Sequence, residues 1–412
     1  MSNSLLTLNM ITKKALSLFI NSNALLQTVR KTYDDSFGVA GAKIGSTLRL
    51  RLPNDPTVRV GATSNPQSIA ERNTTITVGT MLGVDLGFTS TEMALSISDF
   101  SERYLETSIN NLAGAVASDV MNVAETVPNI VHNVDGSNNT ISPTASTWLA
   151  AGAILDSLSC PRGSRKAILD PLTSARTVQS MLGLFNPSPE ISKQFRAGSM
   201  DVTSGTLGIN DWRNDQTVIK HVQGASTYGT VAAGGVTNVS ATGCTIATSA
   251  LAGAVNVGDI LTIATVNSVN RVTKASNHTL AQFVVTSAAT TGATSLTVYP
   301  ALIGPASGVA VSYQTVDNVP ATGAAIASPI NANEVYRKNM VFVPEAFALV
   351  TADLALPSGA VMDAHREMYD GISLRCIRDY LFLSDTQATR IDILYGWAAP
   401  RPEFAVIVAD SV

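Results

Sequence analysis

Charge is scarce in this 412-residue chain, where Asp, Glu, Lys and Arg together make up 14% against about a quarter in an ordinary globular domain. That scarcity excludes a solvated disordered chain and an ion-pair-rich coiled coil. The formal net charge is −4, so the basic balance of a dedicated DNA or RNA binder is missing. Aromatic residues are few, at 6%, while hydrophobic residues reach 45%, a normal value for a globular protein. A chain so poor in charge is expected to bury much of its surface, including against copies of itself. The three cysteines, Cys160, Cys244 and Cys376, are widely spaced and form no CxxC pair. This excludes a disulfide framework and a thiolate zinc site, and fits a reducing compartment. No apolar stretch approaches the ~18 residues of a membrane span. The run Ala15–Ile20 behind Lys13 and Lys14 is interrupted by Ser17, which is too short for a signal peptide. At roughly 150 residues per domain, the length allows two or three domains.

Catalytic signatures are absent too. There is no GxGxxG, GxSxG or HExxH. Gly41 to Thr47 has phosphate-loop ingredients, but Lys43 precedes the second glycine and a strand pattern follows where a helix is required. The four histidines, His132, His221, His278 and His365, are not paired at metal-ligand spacing, and each reads as an ordinary polar residue. Ser, Cys and carboxylates are too scattered to assemble a triad on paper. No catalytic, cofactor-binding or metal residue is assigned, and the chain reads as a non-enzyme.

What is present is pattern. Residues 1–35 place Leu5, Leu8, Ile11, Ala15, Leu18, Leu25 and Val29 at mostly three- and four-residue steps, predicting an amphipathic helix that packs on its own domain or docks on a neighbour. In 45–62, Leu48, Leu50 and Leu52 alternate with Thr47, Arg49 and Arg51. After Pro53-Asn54-Asp55-Pro56, Val58 and Val60 alternate with Thr57 and Arg59. This predicts a β-hairpin with an aliphatic face and an arginine face. A two-stranded hairpin is marginal alone, so the aliphatic face needs a surface, in its own domain or on another subunit. The arginine face has three readings: nucleic-acid contact, pairing with acidic groups of a neighbouring subunit, or a solvated strand face. Gly61 to Asn73 reads as a loop, and Ile76 to Phe88 as a further alternating run.

Residues 99–127 predict the longest helix. Asp99 is its cap, and Leu105, Ile109, Leu112, Val116, Val120, Val123 and Val127 form the apolar stripe up to Pro128. At ~1.5 Å rise it would span about 43 Å. Asp99, Glu102 and Glu106 along its first turns read as a solvated face favoured by the helix dipole. Residues 143–221 read as α/β, with helical patterns at Ser146–Leu158 and Ser174–Leu182 around a buried strand, Lys166–Leu169. Composition then shifts. From Val222 to Asn333 the only charged residues are Asp259, Arg271, Lys274 and Asp317. Short β-prone pieces at Cys244–Ala247, Ile260–Val266, Arg271–Thr273, Phe283–Thr286, Ser295–Tyr299 and Ala310–Tyr313, separated by glycine-bearing turns, predict an all-β sandwich or barrel. After Asn339 the mixed pattern returns, with Val361–Tyr369 reading as a short helix and Ile391 to Tyr395 and Phe404–Val408 as strands. The β-module is therefore expected as an insertion into a host domain.

A set of segments carries a family resemblance: Met10-Ile11-Thr12-Lys13-Lys14-Ala15-Leu16, Tyr33-Asp34-Asp35-Ser36-Phe37, Gly45 to Arg51 and Ser96 to Tyr104. To these are added Gly258-Asp259-Ile260, Phe283-Val284-Val285, Tyr299-Pro300, Glu345 to Val350 and Tyr395-Gly396-Trp397 followed by Arg401-Pro402-Glu403. In that order they resemble the major capsid proteins of tailed bacteriophages with the Hong Kong 97 capsid fold, and more narrowly the P-twenty-two-type coat family of short-tailed phages. The resemblance implies an α+β fold with an N-terminal arm at 1–35, an extended loop hairpin and flanking strands at 36–92, and a peripheral domain with a spine helix at 93–142. It further implies an axial α/β domain at 143–221, an inserted barrel-like β-domain at 222–333, and a return to the axial and peripheral domains at 334–412. It implies inter-subunit contacts by the hairpin (Arg49, Arg51, Asp55, Arg59) and by the arm (Leu5, Leu8, Ile11). The implied partners are hexamers and pentamers of the chain itself, a scaffolding protein, a portal, and double-stranded DNA enclosed without sequence-specific binding. No cofactor and no membrane are expected. The implied location is the virion capsid, assembled in the host cytoplasm. Two rivals stand beside this reading: a hydrolase with an accessory β-domain, and a surface-binding or adhesin module built on residues 222–333.

Overall fold

The structure, a computed structural model, describes residues 8–21, 24–34, 47–52, 62, 72–89, 106–181, 207–240, 243–305, 313–357, 363–383 and 385–412. The chain divides into two units. One is built from residues 1–49, 75–121 and 347–398, and the other from 50–74, 122–346 and 399–412.

The first unit is a sheet with helices. Its strands run in the order Arg30–Asp34, Ala348–Ala352, Thr386–Ala398, Ile372–Leu381, Asp363–Tyr369, and Thr80–Thr89 also pairs with Thr386–Ala398. That 13-residue strand is the hub, because it holds partners on both sides from Thr386 to Asp392. Gly396 within it is dictated by space, since a Cβ there would collide with the Thr77 carbonyl oxygen. The helix Glu106–Met121 buries Ile109, Leu112, Ala113, Val116, Ala117, Val120 and Met121, the three- and four-residue spacing of one helical face. Asp119 accepts hydrogen bonds from the Tyr395 hydroxyl at 2.8 Å and the Trp397 indole N–H at 3.3 Å, fixing the helix to the hub strand.

Three expectations for this region are corrected. The N-terminal helix is two helices, Leu8–Asn21 and Ala24–Thr28, and residues 30–34 are a strand. That strand pairs in parallel from Arg30↔Ala348 to Asp34↔Ala352, so sheet hydrogen bonds override the helical pattern. The buried stripe of the first helix is Thr12, Ala15, Leu16, Phe19 and Ile20, with Leu18 only half-buried. Residues 363–369, expected as helix, are a strand instead. They register from Asp363↔Arg378 to Tyr369↔Ile372 across a two-residue turn, Asp370-Gly371, whose φ values are 52° and 72°. Asp-Gly with positive φ at both positions is the turn that matches strand twist.

In the second unit, a mixed sheet runs Asn129–Val131, Ala405–Ser411, Val335–Phe342, Lys166–Leu169, Asp211–Asn214, with Lys220–Val222 added on Val335–Phe342. The central strand is buried from Tyr336 to Phe342. Helices Ala145–Ser157 and Pro171–Ser180 belong to this layer. The second starts on an Asp170 cap that accepts the Leu172 N–H at 3.0 Å, followed by Pro171, whose missing N–H costs nothing in a first turn. Trp148 meets Trp212 edge-on at 5.1 Å and donates to Thr177 at 3.2 Å. The expected single helix to residue 127 is corrected here: α-helix ends at Met121 and a 3-10 turn, Asn122–Thr126, follows, tightening the chain before Pro128.

Between Val222 and Val335 stands a six-stranded antiparallel sheet, ordered Val231–Ser240, Gly243–Thr248, Ser295–Tyr299, Ser276–Val285, Ile260–Val269, Ile326–Ala327. A bridge between Thr230 and Ala325, with the Val231 N–H donating to the Ala324 carbonyl at 2.9 Å, joins the last strand to the first. The two ends of the sheet therefore meet at that bridge, which closes it into a barrel. Its interior is filled by residues such as Val231, Ile246, Leu261, Ile263, Val266, Phe283, Val285, Leu296 and Val298. Arg271–Thr273, expected as a strand, is a turn in which the Asn270 side-chain oxygen accepts the N–H groups of Val272 and Thr273 at 2.9 and 3.0 Å. Val231–Ser240 was not expected as a strand. Its Gly234-Gly235 pair and polar residues hide it.

Candidate functional site

The charge-poor barrel meets the mixed sheet of its own unit at a buried ionic junction. Four elements supply it. Glu125 comes from the 3-10 turn after the long helix, His221 from the strand Lys220–Val222, Asp259 from the residue before Ile260–Val269, and Lys338 from the centre of Val335–Phe342. Asp259 and Lys338 are fully buried, His221 nearly so, and Glu125 is partly exposed.

The imidazole of His221 lies between two carboxylates. Its Nδ1 is 3.1 Å from Glu125 Oε1 and its Nε2 is 2.9 Å from Asp259 Oδ1. Lys338 Nζ donates to Glu125 Oε2 at 2.5 Å and to the Gly258 carbonyl at 2.8 Å. Asp259 also accepts the Gly224 N–H at 3.1 Å, the Asn256 N–H at 2.9 Å and the Tyr228 hydroxyl at 3.2 Å. Gln223 donates to Tyr228 at 2.7 Å and to Ser328 at 3.1 Å. The Tyr336 ring stands edge-on to the imidazole at 5.4 Å. Gly258, at φ 90°, is required twice over, by its conformation and because a Cβ would strike the Glu125 carboxylate.

The electrostatics follow from this packing. Burial pushes His221 toward the neutral form, but hydrogen bonds to Asp259 and Glu125 outweigh it and its pKa is raised. Burial lowers the pKa of Lys338 despite Glu125 beside it. Burial would raise Glu125, yet the His221 hydrogen bond and the Lys338 charge bring it below its ordinary value. With His221 protonated, two cations face two carboxylates and the junction is neutral, which is the condition for keeping such charges away from water.

Two further contacts fasten the barrel to the sheet beside it. The Gln282 side chain pairs with the Ile130 backbone, accepting its N–H at 2.7 Å and donating to its carbonyl at 3.0 Å. Tyr299 donates to Glu403 at 2.8 Å, and the Arg271 guanidinium lies 5.2 Å over the Phe404 ring. Asp317, half-buried, accepts hydrogen bonds from Asn267 and Ser276 of the barrel strands at 2.8 to 2.9 Å. The sparse charges at 259, 271 and 317 thus all face partners within the same chain.

Sequence reasoning treated His221 as ordinary and missed this junction. The available signal was an isolated carboxylate, Asp259, directly before Ile260-Leu261 in a segment almost without charge, and a lysine inside an apolar strand at 338. Of the residues expected at subunit contacts, Arg49 is exposed in the strand Thr47–Leu52, where Leu48 and Leu50 are half-buried. Arg51 lies in the same strand, and Leu8 and Ile11 lie in the helix Leu8–Asn21. Leu5, Asp55, Arg59, Asp99 and Glu102 fall outside the described residues. The described partner of Thr47–Leu52 is Arg72–Thr77, part of which had been read as loop. The expected partner at 57–60 lies outside the described residues. All three cysteines are free and buried, with the thiols pushed up to about 11 by burial. Among the described residues no cluster of His, Cys, Asp and Glu is arranged to hold a metal ion.

No curated protein matches this sequence. Solved structures similar to the chain include one from Mycobacterium phage Che8, at 10% identity and TM-score 0.41, covering 92% of each chain. The capsid structure of the cyanophage P-SCSP1u is similar at 12% identity and TM-score 0.41, covering 93% of this chain and 86% of that one. The mature capsid of bacteriophage PhiM1 is similar at 10% identity and TM-score 0.38, covering 92% and 84%. The assignment rests on a different finding, a family model described as P22 coat protein, gene protein 5, which matches residues 14–408. With nearly its whole length matched, the chain belongs to the P22 coat protein family.

Proposed function

We propose that copies of this chain, arranged as hexamers and pentamers, close an icosahedral shell around double-stranded DNA. As a member of a coat family matched over residues 14–408, the chain is a major capsid protein with a structural role in the virion capsid. That match is the observation that carries the reading. The arm (Leu5, Leu8, Ile11) and the ribbon (Arg49, Arg51, Asp55, Arg59) reach neighbouring subunits and extend the buried area beyond the edge of one subunit. The exposed Arg49 beside half-buried Leu48 and Leu50 supports this, because a two-stranded ribbon is marginal on its own. A net charge of −4 suits a container that does not grip its DNA. Assembly takes place in the host cytoplasm with a scaffolding protein and a portal, and no catalysis is involved.

Co-expression with the scaffolding partner, followed by electron microscopy, tests the reading. Uniform closed particles are expected from the unaltered chain. The double change Arg49→Glu, Arg59→Glu is expected to cut particle yield while circular dichroism of the subunit stays unchanged. Soluble monomers from the unaltered chain, with scaffold present, overturn the shell reading. Full yield from the double variant overturns the ribbon's role.

A further inference from the structure

We propose that His221 is a proton-operated latch that holds the inserted barrel to the mixed sheet of the same unit, closed when the imidazole carries both protons and released when it loses one.

The argument begins with the donor count. A neutral imidazole has one N–H and one bare nitrogen, whereas an imidazolium has two N–H donors. Both ring nitrogens of His221 sit at hydrogen-bond distance from carboxylate oxygens, Nδ1 at 3.1 Å from Glu125 and Nε2 at 2.9 Å from Asp259. Only the imidazolium satisfies both. On proton loss, one nitrogen presents its lone pair to a carboxylate oxygen at that distance, and one contact must open.

The surroundings decide which side yields. Asp259 is held on the barrel side by the Gly224 and Asn256 N–H groups and by Tyr228. Glu125 is held by Lys338, which is itself anchored on the Gly258 carbonyl. The remaining face of the imidazole is taken by the Tyr336 ring, so no other acidic group replaces a lost partner. Glu125 and Lys338 belong to the helix end and the central strand, while Asp259, Gly224, Asn256 and Tyr228 belong to the barrel root. His221 is the side chain that touches a carboxylate from each set. Its deprotonation leaves two carboxylates facing one ammonium, so the His221 tie between the two sets opens. The barrel root is then left to the Lys338 bond on Gly258 and the Gln282 bonds on Ile130, a looser junction.

The direction of the pH effect follows. Burial opposes the charge on His221, but the two hydrogen bonds outweigh it and raise its pKa in the folded chain. A raised folded pKa contributes stability that is complete below the unfolded value of about 6.5 and is lost as pH rises through the folded value. The latch is therefore shut below the unfolded value and opens as pH rises through the folded one.

The test uses the full-length subunit with 13C-labelled histidine. One of four imidazole signals is expected to titrate above 6.5 and to vanish in His221→Gln. Hydrogen exchange, expressed as protection factors, is expected to show loss of protection at the Ile130 amide, which donates to Gln282 of the barrel across this junction, through the same pH midpoint. This pH step is expected to be absent from His221→Gln. If His221→Gln does not fold, Glu125→Gln, at the partly exposed partner, is expected to shift the histidine midpoint downward in a folded chain. A His221 signal that titrates at or below 6.5 overturns the proposal. So does protection at Ile130 that is indifferent to the midpoint, or an unmoved midpoint in Glu125→Gln.

Discussion

Replacing Asp259 by Asn keeps the shape of the side chain and removes its charge. In the native chain both carboxylate oxygens face only donors: the His221 Nε2–H, the Gly224 and Asn256 N–H groups and the Tyr228 hydroxyl. An asparagine has a single acceptor oxygen, so its amide NH2 must point at backbone N–H groups in either orientation. Two stranded donors at about 1–3 kcal/mol each give about 2–6 kcal/mol. Removing one partner of a buried ion pair costs about 3–5 kcal/mol, which agrees. In a large domain, where 1 kcal/mol moves the melting temperature by about 2–4 °C, Asp259→Asn should lower it by about 6–20 °C. Thermal unfolding followed by circular dichroism at neutral pH measures this. Because Asp259 also holds the proton on His221, the effects of Asp259→Asn and His221→Gln should fail to add by about 0.5–3 kcal/mol. A loss under about 3 °C, or strict additivity, would refute the view that the junction is a single coupled network.

Gln282→Ala removes both hydrogen bonds to the Ile130 backbone and should cost about 1–3 kcal/mol in urea unfolding. Gly396→Ala drives a Cβ into the Thr77 carbonyl, with an expected cost of about 1–3 kcal/mol from overpacking the hub strand. The same denaturation curve shows it, and a neutral result would mean that the strand shifts freely.

Legibility in the sequence followed how local each cause was. The helix face from Ile109 to Val120 and the short strand Lys166–Leu169 were readable because their pattern repeats within a few residues. The barrel was readable as a class, since short apolar pieces punctuated by glycines have few other uses, but its first strand was not, because Gly234-Gly235 carries no pattern. Asp370-Gly371 was a readable hairpin turn that the helical spacing of Val361 to Tyr369 obscured. The junction was the least legible feature. Glu125, His221, Asp259 and Lys338 are separated by 38 to 213 positions, and only the folded topology makes them neighbours. The resemblance to coat proteins added roles for the arm and ribbon that no periodicity could supply.

The barrel enters and leaves its host through strands that are already bonded to each other, Val222 opposite Val335, with the Gln223 N–H on the Glu334 carbonyl at 2.8 Å. A module whose two ends touch can be lifted out or exchanged without re-threading the rest of the chain. Graftable payloads spliced between residues 224 and 333 would begin with their termini already clamped side by side, and what would need rebuilding is the ion cluster and the contacts to Ile130, Glu403 and Phe404.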